Sequence, residues 1–111
     1  MPTMNIYASK QILLKFDEEK KNNLKKFVAE QLTCREAQLN REDISMRLVE
    51  VFSPRDMKAA LECNIVAQDF SARVEKRYEI SQKISDFLLE GLEGIKDVKV
   101  WLELQRLWTN R

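Results

Sequence analysis

Histidine is absent from all 111 residues of the chain. That excludes His-ligated zinc, Ser-His-Asp and Cys-His nucleophilic sites, and imidazole acid–base chemistry. Only two glycines occur, Gly91 and Gly94, both late in the chain. Neither a glycine-rich phosphate loop nor a dinucleotide fingerprint can be assembled from them. The two cysteines, Cys34 and Cys63, form no CxxC pattern and read as reduced thiols, with a single disulfide as the alternative. No apolar run approaches membrane-spanning length, and the N-terminus has no signal-peptide core. An excess of charge of either sign is lacking too: 19 basic and 18 acidic side chains leave a net +1. That balance argues against nucleic acid or an anionic membrane as a partner. A soluble, cytoplasmic domain working without metal or cofactor is the expectation.

What is present suits one domain over 1–111, because two separate cores would each be too small. The chain is 44% hydrophobic and 33% charged, enough for a core with a well-solvated exterior. Leu24, Phe27, Val28 and Leu32 recur at helical spacing, behind Asp17, Glu18 and Glu19, which suit a helix N-terminus. This predicts a helix from about Asp17 to Thr33. A second is predicted over Ser71 to Leu92, with Glu75, Lys76, Glu79, Gln82, Lys83, Asp86 and Glu90 on a polar arc. Val74, Tyr78, Ile80, Ile84, Phe87, Leu88 and Leu92 are assigned to the opposite side. Arg77 projects into that apolar arc, and Arg73 lies at its edge.

Four stretches read as extended: Thr3 to Ala8, Ile44 to Phe52, Ala60 to Phe70, and Val98 to Leu104. Ser53-Pro54-Arg55-Asp56 is a turn signal between the middle two. The order is strand, helix, strand, turn, strand, helix, strand, or two βαβ halves of about 1–53 and 54–111. This predicts an α+β fold: a four-stranded mixed sheet with two helices packed on one face. Ile6, Leu61, Cys63, Ile65, Val100 and Leu102 should meet the helices. Asn5, Tyr7, Glu62, Asn64, Lys99, Trp101 and Glu103 should form the other face. Trp101, Leu107 and Trp108 suggest that copies of the chain cover part of that face, so an oligomer is expected.

Three details bear on chemistry. Pro2 directly precedes the first strand, Arg47 interrupts the second, and Arg73 and Arg77 stand near the start of the second helix. Each has a plain structural reading. Pro2 punctuates a strand start. Arg47 has Glu50, Glu62 and Glu103 as possible partners in the sheet. Arg73 and Arg77 can extend past apolar neighbours to an acidic group. Cys34 and Cys63 read as packing thiols, and Glu103 as a structural partner or a second carboxylate near a site.

In joint placement these features resemble the tautomerase superfamily, particularly its 5-carboxymethyl-2-hydroxymuconate isomerase-like branch. The residues that carry the resemblance are Met1-Pro2-Thr3-Met4-Asn5-Ile6, Ile44-Ser45-Met46-Arg47-Leu48-Val49-Glu50-Val51, Phe70-Ser71-Ala72-Arg73-Val74-Glu75-Lys76-Arg77 and Val98-Lys99-Val100-Trp101-Leu102-Glu103. The resemblance implies a tautomerase-like β-α-β repeat, a trimer, and an isomerase of small enol or keto carboxylic acids that needs no cofactor. It implies removal of Met1, so that the Pro2 nitrogen acts as general base and then acid. Arg47 and Arg73 would hold the carboxylate and polarise an oxygen, with Arg77 as a weaker candidate. The connection from Ser53 to Lys58 is shorter than is usual in that branch. Two alternatives stay open: an inactive oligomeric binding or scaffold protein of the same fold, and a ferredoxin-like ligand-binding module whose βαβ units interleave.

Overall fold

The computed structural model describes residues 2–106. Strand β1 (Thr3–Ala8) is followed by a single turn, α1 (Lys10–Leu13), and by α2 (Glu18–Leu32). A 3-10 turn at Arg41–Asp43 leads into β2 (Ser45–Glu50), and another at Pro54–Asp56 leads to β3 (Leu61–Gln68). The chain continues through α3 (Ser71–Glu75) and α4 (Arg77–Gly91) to β4 (Val98–Gln105).

The strands lie in the order β2-β1-β3-β4. Within each half the strands are parallel, β1 with β2 and β3 with β4, and the halves meet through antiparallel β1 and β3. The two βαβ units therefore sit side by side. A ferredoxin-like arrangement would interleave them, and that alternative is excluded.

Alternation along the strands sets the two faces. Met4, Ile6 and Ala8 are fully buried, as are Leu61, Cys63 and Ile65 on the neighbouring strand. These side chains meet the helices. Helix α2 begins at Asp17, whose carboxylate accepts the Lys20 N–H at 2.8 Å, a cap worth about 1 kcal/mol. It buries Leu24, Val28, Ala29 and Leu32, while α4 buries Ile80, Ile84 and Leu88. Each such Leu or Ile contributes about 1.5–3 kcal/mol on leaving water. Phe27 and Phe87 stack between the two helices, with ring centroids 4.3 Å apart. No helix among the described residues is long and apolar enough to cross a membrane.

The expected second face is present in register: Arg47, Asn5, Asn64 and Trp101 form one row across all four strands. Val49, Tyr7, Glu62 and Lys99 form the next. The Lys99 ammonium lies 5.8 Å from the centroid of the Trp101 ring. Leu107 and Trp108, expected to join this surface, lie outside the described residues.

The second helix departs from expectation. Lys76, at φ −104° and ψ 15°, interrupts it and leaves α3 and α4 as separate pieces. A residue so far from helical angles resets the phase, so one periodicity cannot run through 71–92. Val74 and Tyr78, assigned to the apolar side, are 49% and 87% exposed. On a wheel advancing ~100° per residue Tyr78 falls far from the buried line of Ile80, Ile84 and Leu88. Arg77 is exposed at the first residue of α4 instead of projecting into the apolar arc.

Candidate active site

Pro2 stands immediately before β1, buried, and its carbonyl accepts the Ser45 N–H at 3.1 Å. Because β1 runs antiparallel to β3, the start of β1 lies beside the end of β3. That brings Pro2 to the segment leading into α3. Phe70 caps that helix, and its carbonyl accepts the Arg73 N–H at 2.9 Å.

Arg73 is 3% exposed, the one charged residue buried among those described. Its Nε donates to the Leu32 carbonyl at 2.8 Å and Nη1 donates to that of Gln68 at 3.0 Å. Its Cζ lies 4.9 Å from the centroid of the Phe70 ring. A guanidinium carries five N–H donors, so two are committed to carbonyls and three remain for other acceptors. Burial is the main influence on its pKa and lowers it, while Cys34 and Glu36 act in the opposite direction. An arginine so placed still carries its charge in neutral water.

The loop between α2 and β2 forms the facing wall. The Thr33 hydroxyl donates to the Ala29 carbonyl at 2.8 Å and accepts the Leu39 N–H at 3.0 Å, which folds the loop back on the helix. Cys34 and Ala37 exchange two backbone hydrogen bonds and hold Glu36 at a tight turn. Asn40 and Asp43 form a capping box: the Asn40 N–H donates to Asp43 Oδ2 at 2.9 Å, and Asn40 Oδ1 accepts the Glu42 N–H at 3.1 Å. The result is a cavity of about 420 Å³ lined by Pro2, Glu36, Ala37, Leu39, Asp43, Gln68, Phe70 and Arg73. That volume suits a small organic molecule.

Of the four residues expected at a site, this cavity contains Pro2 and Arg73. Arg47 shares its register row with Asn5 and projects from the opposite sheet face. It has no acidic partner within 4.0 Å among the described residues, so the pairings with Glu50, Glu62 and Glu103 are not formed. Glu103 instead accepts weak hydrogen bonds from Asn64 and Gln105, each at 3.4 Å. Arg77 does not line the cavity. Glu36, Asp43 and Gln68 were not anticipated. Two lie in a loop without periodicity, and no local signal pointed to them.

Both cysteines are free thiols. Cys63 is fully buried in β3, and burial pushes its pKa up to about 12. Cys34 is half-buried and lines a second cavity of about 360 Å³, which Arg73 also lines.

No protein-family model and no curated protein matches this chain. Solved structures do. A member of the cis-3-chloroacrylic acid dehalogenase family superposes with a TM-score of 0.64 at 10% identity, over 94% of this chain and 75% of the other. The native protein Ps01740 superposes at 0.62 with 17% identity, over 94% of both chains. A macrophage migration inhibitory factor-like protein from Entamoeba histolytica gives 0.58 at 14% identity, covering 95% of this chain and 89% of its own. The fold is tautomerase-like. At such identities the likeness is one of backbone, and the tautomerase-like scaffold leaves the chemistry to the side chains in the cavity.

Proposed function

We propose that this chain is a cofactor-independent isomerase, a tautomerase acting on a small unsaturated 2-hydroxy or keto carboxylic acid. One observation carries the reading: Pro2 and the buried Arg73 line the same cavity. With Met1 removed, the Pro2 nitrogen is a secondary amine fixed by its ring at the strand start. An ordinary α-amine titrates near ~8, and burial with a guanidinium nearby lowers that value. Glu36 and Asp43 pull the other way, so the basicity of the amine is set by their balance. The amine takes a proton from carbon or oxygen of the substrate and returns it at the other end of the conjugated system. Arg73 holds the substrate carboxylate through the N–H groups that its two carbonyl partners leave over.

Within one chain the anion-holding role falls to Arg73. A part for Arg47, which leaves from the opposite sheet face, requires a second copy to bring it to the cavity. The same reading takes the chain as an oligomer, with a trimer favoured and the open sheet face as its contact surface. Light scattering that showed a stable monomer would count against that assembly.

The decisive experiment replaces Pro2 with alanine, which keeps a terminal amine but not a secondary, ring-held one. Turnover of phenylenolpyruvate, which carries one carboxylate, should fall by about 100-fold or more; unchanged turnover would refute the role. A second reading has its own support. The bonds from Arg73 to the Leu32 and Gln68 carbonyls also suit a purely structural guanidinium in an inactive binding or scaffold protein. Intact mass separates the two readings, since a native chain retaining Met1 has an amide at Pro2 and no base there.

A further inference from the structure

We propose that the cavity at Pro2 selects singly charged acids and rejects diacids. This deepens the isomerase reading and rests on it for the identity of the ligand, although the selectivity can be measured without turnover. The argument is one of charge. Among the described residues lining the cavity, Arg73 is the sole side-chain cation, the Pro2 amine being neutral while it serves as base, and two carboxylates, Glu36 and Asp43, line the same cavity. Neither carboxylate has a salt bridge among the described residues. Asp43 is held by the neutral backbone N–H of Asn40, which fixes its position without cancelling its charge. Glu36 is exposed and favours the charged form of Arg73.

A single carboxylate satisfies the free end of Arg73. The far end of a conjugated acid then extends toward the loop wall, where Ala37 and Leu39 offer apolar surface beside the two acidic groups. A methyl or aryl end suits that wall. A second carboxylate would meet like charge there without a cation of its own. At separations of several ångströms in a partly enclosed site, such repulsion is worth roughly tenfold in affinity. The substrate implied by the muconate-isomerase branch carries more than one carboxylate, and the charge of this cavity opposes it.

Crotonate and fumarate test the proposal, because they share a short trans-unsaturated skeleton and differ in one carboxylate. Their affinities would be measured by NMR titration of the mature protein and of Glu36→Gln. Crotonate should bind the unaltered protein roughly tenfold more tightly than fumarate, and E36Q should narrow that gap severalfold. Equal or tighter binding of fumarate, an unchanged gap in E36Q, or no binding of either acid overturns the proposal. Selective binding in a protein whose turnover ignores Pro2 would sink the isomerase reading alone. A Pro2-dependent enzyme that prefers fumarate would sink the selectivity alone.

Discussion

The two halves of the sheet build equivalent corners and furnish them differently. Pro2 precedes β1 as Ala60 precedes β3, and Arg73 follows the end of β3 by the same interval as Leu13 follows the end of β1. Antiparallel pairing of the central strands places each strand start beside the partner's strand end. One corner therefore joins a proline to a buried guanidinium. The other joins an alanine to Leu13, a half-buried side chain packed on the core. Topology supplies both positions, and residue identity makes one of them a cavity with charge and leaves the other with an exposed Ala60 and a leucine packed on the core.

The comparison can be broken most severely at Arg73. Arg73→Ala leaves the Leu32 and Gln68 carbonyls without their charged donor and should destabilise the fold by about 2–4 kcal/mol in urea unfolding. It should also abolish detectable crotonate binding. Leu13→Ala, at the opposite corner, should cost about 1–2 kcal/mol by loss of packing, with crotonate affinity within about twofold of the parent. Equal losses of binding in both variants would erase the distinction between the corners.

A smaller effect separates the central strands themselves. Ile6 of β1 faces Cys63 of β3 in register, both fully buried, and only the thiol can titrate. Its pKa is pushed up to about 12 from 9.0, so between those values the folded chain keeps a proton that the unfolded chain has lost. Stability must then fall as pH rises above the unfolded value, by up to about 1.4 kcal/mol per pH unit. Denaturation between pH 9.0 and about 12, the window set by the two pKa values, reads the slope. Cys63→Ala should flatten it.

The finest test lies inside the charged corner. Removing the carboxylate of Glu36 withdraws a group that favours the protonated amine. E36Q should therefore lower the pKa of the mature Pro2 nitrogen, by about half a unit. NMR titration of that nitrogen measures the shift, and an unchanged pKa would show that Glu36 does not act on it.

Much of the fold was legible because its signals are local. Alternation in Leu61–Gln68 and the spacing of Leu24, Val28 and Leu32 located a strand and a helix, and the chain could not satisfy them otherwise. The site was less legible. Pro2 and Arg73 stood out as residue types, but Arg47 stood out equally and projects from the other face. Its strand was correctly placed; which side the arginine leaves from depends on register with β1. Glu36 and Asp43 carried no mark at all, since a carboxylate in a loop looks the same whether it faces solvent or a ligand.

Sequence alone thus determined the four strands, the helical segments between them, their order, and which side chains of β1, β3 and β4 seek the helices, because hydrophobic periodicity acts over a few neighbouring residues. Only the tertiary structure decided that β1 and β3 run antiparallel, that Lys76 interrupts the second helix, and that Pro2 meets Arg73 beside two carboxylates. Those outcomes depend on contacts between segments distant in the chain, where no local pattern records which partner will be met.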